Sequence, residues 1–229
     1  MPGPLAVEIG IAALVAAALH ALASGRGRAG RPWSARAAVA AGYLACHVAT
    51  LGLPALPPAD ALQRLAFLVA LMALPLPRAP SRILVAALAL FAPLVLVRSG
   101  LLARAPALAL GGVLCALTAL AHALEPRRRH PALSLALAAG GTGALLLWRG
   151  GSGLLAELAL GLTAALLALW GLRCILGRGT GEGAGDLAVF LVGSFALLGC
   201  LHAGLPAGWA LLAAGSPVAL LAAFPRQRK

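Results

Sequence analysis

Lysine occurs once in this chain, at Lys229, and acidic residues number only 6. Charged residues of both signs make up 10% of the 229 positions, against 62% hydrophobic. A water-soluble fold of this length needs far more polar surface, so the soluble globular class is excluded. With its one lysine at the end, no apolar run holds an amine for a Schiff-base chromophore. Aromatic residues are 4%, too few for a core built on large rings. The four cysteines, Cys46, Cys115, Cys174 and Cys200, stand far apart with no C-x-x-C spacing. That argues against a zinc or redox motif and reads as four small hydrophobes.

What remains is mostly alanine and leucine, with 28 glycines. Small residues let helices approach closely inside a membrane, where packing replaces the hydrophobic effect as the adhesive. Apolar runs of about twenty residues alternate with short polar turns, the pattern of a polytopic all-α bundle. Eight or nine transmembrane helices are expected, over about 5–24, 35–56, 61–76, 83–97, 106–124, 132–148, 154–176, 187–201 and 207–224, in a single domain covering 1–229. Turn chemistry marks several boundaries. Ser34, Asp60, Ser81, Ser152 and Asp186 sit where N-caps belong. Arg64 is the i,i+4 partner of Asp60. Pro93 predicts a kink in the fourth helix. The Gly-rich stretch 177–185 reads as a cytoplasmic loop, and Gly215-Ser216-Pro217 predicts a break in the ninth helix.

The net charge of +12 comes from 18 basic residues. They fall in short loops instead of on one face, which argues for a topological and lipid-facing role and against nucleic acid. The densest cluster is Glu125-Pro126-Arg127-Arg128-Arg129-His130-Pro131, and Arg127, Arg128 and Arg129 set the threading. If the loops alternate sides, 14 of the 18 basic residues share the side of that cluster. Lys/Arg excess marks the cytoplasmic face, so the N-terminus is expected outside and the C-terminus inside. Glu8 stands where a signal peptide would carry positive charge, so the first run reads as an uncleaved helix. The Ala/Leu/Gly/Arg bias points to a GC-rich bacterium and its inner membrane. The expected partners are the bilayer with its anionic lipids, and other membrane subunits or further copies of the chain.

Chemistry-bearing residues inside the runs are few. Glu157 lies one turn into the seventh helix and Glu8 at a matched depth in the first. Intramembrane carboxylates are candidates for a proton or cation path. His20 and His122 both lie near cytoplasmic helix ends, the weak pattern of a bis-histidine haem, while His47 is placed near mid-membrane. No cofactor or metal site is otherwise indicated.

Gly150-Gly151-Ser152-Gly153 together with Leu201-His202-Ala203-Gly204 resembles the G-x-S-G motif and helix-embedded histidine of rhomboid intramembrane serine proteases. The resemblance implies Ser152 as nucleophile and His202 as its base, both on the outer side. The chain departs from the family in lacking an H-x-x-x-N helix. The stretch from Arg127 to Arg173 is similar to helices six and seven of the membrane component E of hydrogenase-4-type complexes. Gly141 and Thr163 stand there where the family carries acids. The expected function is therefore a small permease or a membrane-embedded subunit of a larger complex. The alternative is an intramembrane serine hydrolase using Ser152 and His202.

Overall fold

The computed structural model describes residues 4–23, 32–74, 81–97, 104–125, 131–176 and 184–224. Among them there are nine α-helices and no strand. They are α1 (Pro4–Ala23), α2 (Pro32–Leu51), α3 (Ala61–Ala73), α4 (Ser81–Leu96), α5 (Arg104–Leu124), α6 (Pro131–Arg149), α7 (Gly153–Leu176), α8 (Gly185–His202) and α9 (Ala207–Ala223). The apolar runs thus fold as the helices expected of them. Arg127, Arg128 and Arg129 and most of the Gly-rich loop lie outside the described residues.

The bundle is organised around α8. Every residue from Ala184 to Ala196 is buried, and α8 packs against α2, α3, α4, α5, α6, α7 and α9. The seven others close a ring in the order α2, α3, α4, α5, α9, α6, α7 and back to α2, while α1 leans on the outside against α2 and α7. A helix apolar on all sides belongs in such a centre, since no face of it needs a polar environment.

Small residues set how closely the helices meet. A Cβ added at Gly42 of α2 would fall 2.8 Å from Ala165 Cβ of α7 and 2.9 Å from the Ala12 carbonyl of α1. One at Gly161 of α7 would run into the side chain of Cys46. Backbone proximity, not interdigitation of large side chains, therefore joins α1, α2 and α7. Outward-facing positions are apolar instead of polar: Leu14 is 71% exposed, Leu147 59% and Leu211 62%. Four threonines direct their hydroxyls back to the carbonyl one turn earlier in their own helices: Thr50, Thr118, Thr142 and Thr163.

Several boundaries differ from the sequence expectation, for local reasons. The second helix ends at Leu51, not Leu56, because Gly52 takes φ +81° and its N–H closes on the Val48 carbonyl at 2.9 Å. That is a glycine C-terminal stop followed by Pro54. At its other end α2 begins at Pro32, so Ser34 lies inside the helix and is buried. The ninth helix is continuous through Pro217. Proline leaves the Ala213 carbonyl without its usual donor, and the Ser216 hydroxyl supplies one at 2.8 Å. Arg64 is not an ion-pair partner of Asp60; its guanidinium donates to the Val95 carbonyl at the end of α4, 3.1 Å away.

Helix ends that meet define two poles. The start of α2, the end of α5 and the start of α8 come together around Arg36. The starts of α3 and α7 and the end of α8 come together around Asp60. The start of α1 meets the end of α2 through Glu8 and Thr50. These meetings point α1, α3, α5 and α7 one way and α2 and α8 the other.

Candidate functional site

The Arg36 pole holds buried charge that the sequence disguises as loop. Arg36 lies in the second turn of α2, 3% exposed, and forms a two-pronged ion pair with Asp186 of α8, itself 2% exposed. The Nε–Oδ1 contact is 3.2 Å, with Nη2 on Oδ2 as the second prong. Asp186 Oδ1 also accepts the Leu187 N–H at 2.8 Å. His122, in the last turn of α5, places Nδ1 4.0 Å from Asp186 Oδ2.

Asp186 was expected to cap α8, but the cap residue is Ala184, whose side chain offers nothing. The capping carboxylate comes from Glu125, just past α5. Its Oε1 accepts the N–H of Ala184 at 3.1 Å and of Gly185 at 2.9 Å. An acid suits the positive end of a helix whatever part of the chain supplies it. Gly185 leaves room for it, because a Cβ there would sit 2.9 Å from Glu125 Oε2.

Glu8 and Glu157, 149 positions apart in the chain, approach one patch of α2. The Thr50 hydroxyl donates to Glu8 Oε2 at 3.4 Å and to the Cys46 carbonyl at 2.8 Å. Both carboxylates lie within electrostatic reach of Cys46, and both are half-buried. Arg149 does not reach Glu157: its guanidinium stacks over Trp148 at 4.3 Å and near Trp209 at 5.9 Å.

At the Asp60 pole, Asp60, Ser152 and His202 line one cavity of about 380 Å³. Two of the three side chains perform local tasks. Asp60 Oδ1 accepts the Gln63 N–H at 2.8 Å, and Ser152 Oγ accepts that of Leu155 at 3.4 Å. Ser152 and His202 share the cavity without a hydrogen bond between them.

His20 and His122 sit on helices with different packing partners, α1 against α2 and α7, α5 against α4, α8 and α9. Among the described residues no three His, Cys, Asp or Glu side chains gather as a metal site. His47 lies one turn before the end of α2, shallower than its place in a longer helix implied. It is fully buried, as is Tyr43, with ring centroids 6.0 Å apart.

Sequence reasoning missed Arg36, Asp186 and Glu125 as partners because loop-like neighbours surround each of them. The one usable signal was an arginine only four residues after Pro32, an N-terminal helix position. Compared with protein families, curated proteins and solved structures, the chain matches no family model, no curated protein and no solved structure.

Proposed function

We propose that this chain is a multi-pass protein of a bacterial inner membrane, N-terminus outside and C-terminus cytoplasmic, and that it works as a small permease with Glu8 and Glu157 on its path. Support for the membrane reading is an inverted polarity: leucines face outward while an arginine–aspartate pair lies inside. Four helices, α5 to α8, are long and apolar enough to cross a bilayer. Trp148, Trp209 and Arg149 gather at one pole, as interfacial anchors do. Shared placement of the Asp60 and Ser152 ends on one pole, opposite Arg36, fits an alternating thread. Cysteines introduced at Ala59 and Gly153 should then react with a membrane-impermeant maleimide from outside intact cells. Protection of either one refutes this orientation.

The permease reading rests on one observation: Glu8 takes the Thr50 hydroxyl, and Glu8 and Glu157 both lie within electrostatic reach of Cys46. Carboxylates at matched depth on neighbouring helices, beside a hydroxyl, are what a proton or small cation needs to leave water. In proteoliposomes Glu157→Gln should abolish cation-driven flux, and flux at the wild-type rate would overturn the assignment. Association with other membrane subunits is the other form of this reading, and purification in mild detergent with stoichiometric companions would favour it.

A second reading, an intramembrane serine hydrolase, is favoured by the cavity that Asp60, Ser152 and His202 share. Labelling by a fluorophosphonate, lost in Ser152→Ala, would support it. An unlabelled protein would exclude it, since an activated serine is what such probes detect.

A further inference from the structure

The permease reading uses only one end of a third set of polar groups, which lies on α2. Arg36, Tyr43, His47 and Thr50 follow one another at i, i+7, i+11 and i+14, which places all four on one face of the helix. At 1.5 Å per residue that stripe is about 21 Å long. Its upper end is Thr50, bonded to Glu8. Its lower end is Arg36, paired with Asp186 beside His122. Between them stand Tyr43 and His47, each wholly buried. Neither the Tyr43 hydroxyl nor either ring nitrogen of His47 has a hydrogen-bond partner among the described residues. Ser194 of α8, one residue from the Phe195 ring that packs on Tyr43, is buried with its hydroxyl in the same condition.

An ordinary core does not carry such a row. A buried hydroxyl or imidazole without a partner is destabilising, and phenylalanine or leucine would fill the same space without that penalty. The stripe also joins the two charged sites already described. Other groups facing it are few: Asp60 from α3 lies within electrostatic reach of His47, Glu157 acts on Cys46 from α7, and α8 contributes Phe195 and Asp186.

We infer that the species carried is the proton, and that it travels along this face of α2 between Glu8–Glu157 and Asp186–His122. The inference rests on the permease reading and names its substrate. A proton taken from the carboxylate end adds to one ring nitrogen of neutral His47, while the proton on the other nitrogen leaves toward Tyr43. The tyrosine hydroxyl hands on one proton as it receives another, through water where gaps exceed a hydrogen bond. Each side chain is left as it began once the ring and the hydroxyl reorient. His122 keeps 25% of its side chain exposed and opens the lower end to that face. Imidazole suits this task because one ring nitrogen can accept a proton while the other gives one up. A larger cation finds no ligand set along the stripe, whose middle offers one hydroxyl and one ring.

The test uses the purified full chain in vesicles with a trapped pH dye and a potassium diffusion potential. Wild type should acidify the lumen, and Glu157→Gln and His47→Phe should each slow this at least tenfold. Tyr43→Phe is the sharper variant. It removes only an unpartnered oxygen, so a purely structural tyrosine predicts unchanged flux and an equal or higher melting temperature. A several-fold loss of flux with the melting temperature kept supports the path. Wild-type rates in both Tyr43→Phe and His47→Phe, with Glu157→Gln inactive, would overturn the path and leave the permease reading standing. Sodium or potassium flux without proton flux would also overturn it. No flux of any cation would refute both.

Discussion

The two poles of the bundle handle polar groups in opposite ways. Around Asp60 the work is local: Asp60 and Ser152 cap the helices they begin, three residues onward, and share an open cavity with His202. Around Arg36 it is distant: Arg36 and Asp186 lie 150 positions apart, and Glu125 caps a helix starting 60 residues later. Local caps stay close to water, where losing one costs little. The distant contacts are buried, so each group depends on its partner to offset the loss of hydration. One pole is built from helix-end chemistry, the other from tertiary contact.

Substitutions break this contrast in a definite order. The largest effect is expected from Asp186→Ala, which leaves the Arg36 guanidinium buried without its carboxylate and should destabilise by about 3–5 kcal/mol. A thermal melt in detergent measures it. The paired change Arg36→Met with Asp186→Leu should recover most of that loss, and a full double-mutant cycle would show strong coupling. Additive single effects would remove the distinction between the poles. Gly185→Ala comes next. Its methyl group displaces the Glu125 carboxylate from the start of α8, so a loss of about 1–3 kcal/mol is expected. Glu125→Gln keeps an acceptor oxygen and should cost less than Gly185→Ala; the reverse order would mean the charge, not the fit, holds α8.

At the open pole Asp60→Ala should cost about 1 kcal/mol, the ordinary value of an N-cap. Ser152→Ala should cost less again, because its bond to Leu155 is 3.4 Å long and weak by geometry. A loss at Ser152 as large as that at Asp186 would show this pole to be more than a pair of caps.

This order of effects mirrors how legible each region was. Helix existence was readable because an apolar run has few ways to satisfy its backbone, and Asp60 and Ser152 were readable as caps because the partner lies three residues on. Gly52 and Pro54 carry a local stop signal that outweighs the apolar Leu53, Ala55 and Leu56 around them, and α2 ends at Leu51. Arg36 could not be read. It stands beside Arg26, Arg28 and Arg31, and although Pro32 marks a helix start just before it, nothing local names a partner 150 residues away. Glu8 and Glu157 were paired by matched depth, which periodicity conveys, but the hydroxyl of Thr50 beside them follows only from how α1 and α2 cross.

By itself the sequence determined the all-helical class, the near-limits of most helices, and the caps Asp60 and Ser152, because these depend on interactions within about four residues. Tertiary structure decided that α8 lies at the centre, that α1 stands outside the ring, and that Arg36 meets Asp186. Helices this rich in alanine and leucine are nearly interchangeable in composition. Their arrangement turns on where a glycine such as Gly42 or Gly161 lets two backbones touch, and on which buried charge finds its partner.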